Sequence, residues 1–263
     1  MKNYTHIDDI DNINSWIVEA KEIKANPLKD IELGKNKTLG LLFFNASLRT
    51  RLSTQKAALN LGMNTIVMNV SDDAWGIEFG DGTIMNGNTA EHIKEAAAVI
   101  SQYCDVIAVR AFPTLTEKEK DESEHILNSF LKFASVPIIS MESATGHPLQ
   151  GLTDAITISE NSTKKKPKVV LCWAPHVKAL PHAVANSFVE TMQKMDVEFV
   201  IANPEGYNLN PEITNSTSIF CIACAKLLAT ACGKAFTCGA QLRTTLGFFF
   251  VAFSEMVIAS VKP

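Results

Sequence analysis

The chain has 263 residues, of which 46% are hydrophobic and 20% are charged. This length fits two modest α/β domains or one large one, and a chain of this size buries a core without disulfides or metal ions. The net charge of −4 excludes a general affinity for nucleic acid, so an anionic ligand would need a local cluster of arginines.

The chain shows no sign of secretion or of a membrane anchor. Residues 1–7 have neither the basic nor the apolar region of a signal peptide. The apolar run 246–261 is interrupted by Glu255 and falls short of the roughly 18–20 apolar residues that a membrane span requires. We therefore expect a cytoplasmic protein that does not bind membranes, with free thiols rather than disulfides.

Helical and strand-like segments alternate along the chain. Apolar residues at helical spacing predict a first helix over residues 9–25, which stops before Pro27. The continuous apolar run Thr38–Phe44 suits a strand that is buried on both faces of a parallel sheet. Further helices are predicted through Leu61 and over residues 91–103, 117–134, 148–160 and 183–195, and further strands over residues 65–70, 105–111, 136–141, 168–174 and 197–203.

This alternation predicts an α/β fold with two doubly wound parallel-sheet domains. The segment NSTKKKP, residues 161–167, is polar, basic and closed by Pro167, and it is the best candidate for a linker. A further strand–helix–strand unit begins directly after it.

The segment FFNASLRTR, residues 43–51, stands where a buried strand ends and a helix begins. Ligands of open α/β sheets bind beyond the carboxyl ends of the strands, and a helix N-terminus attracts anions. Ser47 can cap the helix or donate to a phosphate oxygen, while Arg49 and Arg51 can make bidentate phosphate contacts. The alternative is a capped helix start with two surface arginines, and the residue types alone leave both interpretations open.

The sequence SLRTR, residues 47–51, resembles the carbamoyl-phosphate motif of the aspartate/ornithine transcarbamylase family. The similarity continues at Arg110, which ends a predicted strand, and at residues 147–150, HPLQ, which match the family's H-P-x-Q signature. With the segments CWAPH and NPEGY, residues 1–216 look most like the branch that acts on N-succinylornithine and other N-acyl-ornithines.

The resemblance implies carbamoyl transfer from carbamoyl phosphate to the side-chain amine of N-succinylornithine, in arginine biosynthesis. It implies a carbamoyl-phosphate domain over residues 1–150 and an acceptor domain over residues 151–263. Neither a metal ion nor an organic cofactor is expected, because the phosphate is already an activated leaving group. Arg110, His147 and the Thr50 hydroxyl would be the catalytic groups that polarise the carbonyl.

Further residues are implied to bind the substrates, namely Ser47, Leu48, Arg49, Trp75, Gln150, Glu142 and His176. Among them, Gln150 would support the carbamoyl amine, and Glu142 and His176 would lie on the acceptor side. Trp75 would reach into the site of a neighbouring subunit, which implies a homotrimer. Trp75 could equally be an ordinary core or loop residue, and a histidine such as His147 is often only structural.

The position before Glu91 bears on the choice of acceptor. Family members that take N-succinylornithine tend to carry Pro there, and those that take N-acetylornithine tend to carry Glu. Ala90 is neither, and it has no charge to repel a succinyl carboxylate. We therefore expect N-succinylornithine to be preferred over N-acetylornithine, and both over free ornithine.

Residues 217–263 depart from the family pattern. The family's loop lysine, its His-Cys-Leu-Pro signature and its late arginine are not recognisable there, and the second domain is expected to be truncated or altered at its C-terminal end. A relative without catalytic activity, which binds carbamoyl phosphate or another small phosphate ligand, therefore stays open as an alternative. Four cysteines have a spacing faintly like that of a zinc site, but apolar residues separate them and we predict no metal there: Cys221, Cys224, Cys232 and Cys238.

Overall fold

The computed structural model describes residues 3–70, 76–173, 181–203, 205–214 and 218–221. Its helices are α1 (Ile13–Ala25), α2 (Leu48–Asn60), α3 (Ile93–Tyr103), α4 (Lys118–Glu122), α5 (His125–Phe133), α6 (Pro148–Asn161), α7 (Ala183–Gln193) and α8 (Pro211–Thr214). Its strands are β1 (Thr38–Phe43), β2 (Asn64–Asn69), β3 (Ile77–Glu78), β4 (Glu91–His92), β5 (Val106–Arg110), β6 (Ile138–Glu142), β7 (Lys168–Cys172), β8 (Glu198–Asn203) and β9 (Ser218–Cys221).

A parallel sheet with the order β2-β1-β5-β6 organises the first half of the chain. Phe43, the last residue of β1, pairs with Asn69 of β2 and with Arg110 of β5, so these three strands end at the same edge. Glu142 ends β6 beside Arg110, after a register shift that follows Val109. This carboxyl edge is where ligands bind in open α/β sheets.

Helices cover both faces of this sheet. On one face α1, α2 and α6 pack against Leu39 and Leu41 of β1, and on the other face α3 and α5 pack in the core that contains Leu42. Successive side chains of a strand point to opposite faces. Because both faces of β1 are buried, its sequence is a continuous apolar run. The predicted α/β class with parallel sheets is confirmed.

A second parallel sheet has the order β7-β8-β9, and α6 lies between the two halves of the chain. On one side of α6, a Cβ atom at Gly151 would lie 2.4 Å from Thr191 Oγ1 and 2.8 Å from the Ser187 carbonyl oxygen, so glycine permits the close approach of α7. On its other side, Ser159 accepts a hydrogen bond from Lys21 of α1. The domain boundary at residue 150 therefore falls inside a shared helix and stays a prediction.

Two predicted helix starts are wrong by a few residues. The first helix begins at Ile13 rather than residue 9, because Ile7–Asp9 form a separate 3₁₀ turn and Asn12 caps α1. The helix predicted from residue 91 begins at Ile93, because Glu91–His92 pair with β3 as a short strand. Ile7 and Ile10 continue the helical spacing of the apolar residues of α1 through the 3₁₀ turn, so this spacing did not show where α1 begins.

The single helix predicted over residues 117–134 is also wrong, since it is broken into α4 and α5. Glu124 stands at the break with φ 52° and ψ 34°, in the left-handed region. Residues 162–167 of the predicted linker lie between α6 and β7, whereas Asn161 is the last residue of α6. Predictions about the side chains of residues 217–263 lie outside the described part of the chain. Within that part, none of the helices is long and apolar enough to cross a bilayer.

Candidate active site

The loop from β1 to α2 presents a capped helix N-terminus at the carboxyl edge of the sheet. Ser47 is the cap, and its Oγ accepts a hydrogen bond from the Thr50 amide at 3.4 Å. Thr50 is buried, whereas Arg49 is exposed and Leu48 is 74% exposed. The Leu48 side chain thus points into solvent, so that only its backbone amide is suited to an anion. The first turn of α2 offers amides, hydroxyls and a guanidinium to a phosphate.

The two arginines of the motif have different surroundings. The Arg51 guanidinium donates to the Asn69 side chain and lies 4.7 Å from the centre of the Phe43 ring. These contacts tie Arg51 to the ends of β1 and β2. The exposed Arg49 instead lies close enough to Glu142 to favour the charged form of that carboxyl. Arg49 is therefore the better candidate for a phosphate ligand.

Arg110 and Glu142 form a buried ion pair at the ends of β5 and β6. The Arg110 Nη2 atom donates to Glu142 Oε2 at 2.7 Å, and both residues are less than 10% exposed. Burial raises the pKa of the Glu142 carboxyl above its ordinary value, and Arg110 and Arg49 oppose that shift. Among the described residues, the buried Nε–H of Arg110 has no hydrogen-bond partner. It is a donor that a ligand oxygen could accept from.

Asn45 links this ion pair to the phosphate loop, although the sequence did not mark it as a site residue. The Arg110 Nη1 atom donates to the carbonyl oxygens of Asn45 and Ala46, each at 3.4 Å. The Asn45 side-chain oxygen accepts from the Phe112 amide at 2.7 Å. Its position within the segment FFNASLRTR, two residues before Ser47, is the signal that could have identified it.

His147 is the N-cap residue of α6, and its ring is buried. The residue is 6% exposed, and its backbone N–H donates to Ser187 Oγ at 2.8 Å. Burial, together with the nearby Arg110 charge, lowers the pKa of the imidazole to about 3. The ring is therefore neutral at physiological pH. A neutral imidazole can donate one N–H to a carbonyl oxygen without giving up a proton.

Gln150 is held by a second residue of α6. Its Nε2 atom donates to Asp154 Oδ1 at 2.9 Å, four residues along the helix. This bond leaves the amide oxygen of Gln150 to accept from a ligand amine. Burial raises the pKa of Asp154 to about 7, and the hydrogen bond from Gln150 opposes that shift. Gln150 and Asp154 stand four residues apart, so the sequence already indicated that their side chains are neighbours on the helix, but this pair was not predicted.

The structure therefore brings part of the predicted site together. Arg110 contacts Glu142 and the loop that leads to Ser47, and its charge acts on His147. Trp75 and His176 lie outside the described residues. In the segments that are described, no group of three or more His, Cys, Asp or Glu side chains is arranged to hold a metal ion. The groups present can hold a phosphate and polarise a carbonyl beside it.

Comparison with known families agrees with this geometry. Residues 2–160 match the carbamoyl-phosphate-binding domain of the aspartate/ornithine carbamoyltransferases. The chain is 50% identical over 219 residues to N-succinylornithine carbamoyltransferase of Bacteroides fragilis, covering 83% of this chain and 69% of the relative. It is 41% identical over 198 residues to N-acetylornithine carbamoyltransferase of Xanthomonas axonopodis, covering 73% of this chain and 57% of that relative.

Solved structures show the same similarity. An acetylornithine transcarbamylase complexed with acetylcitrulline superposes with a TM-score of 0.76 at 34% identity, over 83% of this chain and 69% of that one. A variant of N-acetyl-L-ornithine transcarbamylase, complexed with carbamyl phosphate and N-succinyl-L-norvaline, has a TM-score of 0.76 at 35% identity, over 83% of this chain and 70% of the other. The chain belongs to the aspartate/ornithine carbamoyltransferase family, and it is a transferase by class.

Proposed function

We propose that this chain transfers the carbamoyl group of carbamoyl phosphate to the side-chain amine of N-succinylornithine, as a step of arginine biosynthesis. One observation carries this function: Arg110, a neutral His147 and the N-terminus of α2 converge at one edge of the sheet. Chains about 50% identical to this one are named for the same reaction.

Different residues of the site would bind the phosphate and the carbamoyl ends of carbamoyl phosphate. The phosphate would bind Arg49, the Ser47 hydroxyl and the first amides of α2. The carbonyl oxygen would accept from Arg110, His147 and the Thr50 hydroxyl. Gln150, oriented by its bond to Asp154, would accept from the carbamoyl NH₂ group.

This arrangement favours nucleophilic attack at the carbonyl carbon. The neutral amine of the acceptor forms the new C–N bond, and the negative charge that develops on the carbonyl oxygen is stabilised by donors already in place. The C–O bond to phosphate then breaks, and phosphate leaves with the electron pair. The extra proton on the new C–N nitrogen passes to the departing phosphate. No redox step and no external reactant are needed.

The acceptor preference follows from the lack of charge at Ala90, which is exposed and whose amide donates to the Gly76 carbonyl oxygen at 2.9 Å. A methyl group at this place leaves room for a succinyl chain and does not repel its carboxylate. We expect Glu142 and His176 to lie on the acceptor side, as the resemblance implies.

A homotrimer is part of the proposal. Along α2, the apolar side chains Leu48, Leu52 and Leu59 are more than half exposed, and Ile66 is exposed on the edge strand β2. Exposed apolar side chains on α2 and on an edge strand favour contact with a second copy. Trp75 would then complete the site of a neighbouring subunit.

The alternative is a relative that binds carbamoyl phosphate but does not transfer the carbamoyl group. Labelled carbamoyl phosphate, mixed with N-succinylornithine, N-acetylornithine or ornithine in turn, separates the two functions. The proposed enzyme forms a labelled ureido product, with the highest kcat/KM for N-succinylornithine. Saturable binding of carbamoyl phosphate without any labelled product would instead support the non-catalytic relative. Higher kcat/KM for ornithine would overturn the acceptor assignment alone.

A further inference from the structure

We infer that Glu124 is a positioning residue for the carbamoyl transfer, because its carboxylate fixes the segment 143–146 that joins Glu142 to His147. This role rests on the proposed function, since it concerns the placement of two groups in that site. Glu124 does not itself contact the ion pair or the imidazole in any hydrogen bond of the structure's described part.

The Glu124 carboxylate accepts four hydrogen bonds from this short segment. Its Oε1 atom accepts from the Ser143 hydroxyl at 2.6 Å, the Thr145 amide at 2.7 Å and the Thr145 hydroxyl at 2.5 Å. Its Oε2 atom accepts from the Ala144 amide at 3.3 Å. Hydrogen bonds to a carboxylate are stronger than those between neutral groups. One side chain thus holds three consecutive residues between Glu142 and His147.

The backbone at Glu124 supports a specific role. The residue has φ 52° and ψ 34° and interrupts what would otherwise be one helix over residues 117–134. A residue with a Cβ atom disfavours this left-handed conformation, and such residues persist where the surroundings over-determine them, often at functional sites. The break turns the chain at the point where the carboxylate meets segment 143–146.

The opposite side of the segment is held by α7. The Asn186 side-chain amide donates to the Thr145 carbonyl oxygen at 2.9 Å, and Ser187 Oγ accepts from the His147 amide at 2.8 Å. A cavity of about 280 Å³ borders the segment and is lined in part by Glu124, Ser143, Thr145 and Gly146. Because the segment is not closely packed along this cavity, its hydrogen bonds to Glu124 contribute to its position there.

The phosphate-binding part of the site and the groups that act on the carbonyl should therefore respond differently to a change at Glu124. Among the described residues, the phosphate-binding turn of α2 makes no direct hydrogen bond to segment 143–146, whereas Glu142 and His147 flank that segment. Loss of the carboxylate should therefore misplace the groups that act on the carbonyl and leave phosphate binding intact. A displacement on the order of 1 Å at a reacting centre costs up to ~100-fold in rate.

Glu124→Met tests the positioning role of Glu124. Methionine keeps the length of the side chain but accepts none of the four hydrogen bonds that the carboxylate accepts. Glu122→Met is the matched control, because Glu122 is an exposed acidic residue two positions earlier. We expect Glu124→Met to lower kcat with N-succinylornithine by about 10–100-fold, with the dissociation constant for inorganic phosphate within about twofold of the parent value. Glu124→Gln, which keeps one acceptor oxygen, should fall between Glu124→Met and the parent.

Amide hydrogen exchange supplies a readout that does not depend on activity. In Glu124→Met the amides of Ala144 and Thr145 should exchange at least ~10-fold faster, while those of β1 and β5 keep their protection. An equal kcat for Glu124→Met and Glu122→Met in an active parent would overturn the inference. So would protection lost throughout the first sheet or a lost affinity for phosphate, since these mark a general structural role.

If the parent chain transferred no carbamoyl group, the proposed function would fail, and amide exchange would still decide the placement of the segment. Faster exchange confined to residues 143–147 would support a positioning contact at Glu124. Unchanged exchange at Ala144 and Thr145 would overturn it.

Discussion

The guanidinium of Arg110 and the carboxylate of Glu142 lie 2.7 Å apart at the ends of two neighbouring parallel strands. The two residues are separated by a helical crossover in the sequence and meet because β5 and β6 end at the same edge of the sheet. Both are almost completely buried. Each charge therefore depends on the other for compensation, and the site rests on the pair.

Removing one member of this pair should destabilise the fold. In Glu142→Ala the Arg110 charge stays buried without its carboxylate, and the free energy of unfolding should fall by about 3–5 kcal/mol. Glu160→Ala is the control, because Glu160 pairs with Lys24 near the surface and such pairs contribute ~0.2–1 kcal/mol. Urea denaturation measures both. Equal losses of unfolding free energy in the two variants would show that the Arg110 charge is not costly without its partner, as it would be in a buried pair.

The two arginines of the α2 motif should respond differently to substitution. Arg49→Ala should weaken the binding of inorganic phosphate by about 1.5–3 kcal/mol and leave the melting temperature unchanged, because Arg49 is exposed. Arg51→Ala should lower the melting temperature, because Arg51 contacts Asn69 and Phe43. Calorimetric titration and thermal unfolding separate the two effects. An unchanged phosphate affinity in Arg49→Ala would remove Arg49 from the site.

The imidazole of His147 should stay neutral across the working pH range. Its pKa is lowered to about 3 by burial and by Arg110, whereas in the unfolded chain it is about 6.5. As the pH falls, the unfolded state therefore takes up a proton at a higher pH than the folded state does. The free energy of unfolding should consequently decrease because of His147 as the pH falls from about 6.5 towards 3. NMR titration of the ring should show no protonation between pH 5 and 8. A midpoint inside that interval would contradict the neutral donor.

Asp154 should change the stability with pH in the opposite direction to His147. Its pKa is raised to about 7 by burial, so the folded state keeps a proton that the unfolded state loses near pH 4. The stabilisation is present below pH 4 and declines as the pH rises towards 7. At pH 8 the free energy of unfolding of Asp154→Asn, measured by urea denaturation, should therefore exceed that of the parent by on the order of 1–3 kcal/mol. At pH 4 the two proteins should not differ in this way. A gain of equal size at both pH values would rule out this titration.

The sequence predicted the layers of the fold and several residues of the candidate site, for physical reasons that can be named. The buried run of β1 and the capped start of α2 are local patterns, and Arg110 and His147 were recognised from motifs at strand ends. Glu124 could not be found, because its role depends on a left-handed backbone angle and on a segment about twenty residues away. The ion pair of Arg110 with Glu142 was missed because it depends on a register shift between β5 and β6.

The most direct test of the proposed function is acceptor-dependent release of phosphate from carbamoyl phosphate, measured together with the ureido product. We predict saturable release that requires N-succinylornithine, with one phosphate for each ureido product. The rate should fall by at least ~100-fold in Arg110→Met, because the donor to the developing oxyanion is lost. Release that is independent of the acceptor, or that persists at the parent rate in Arg110→Met, would contradict carbamoyl transfer at this site.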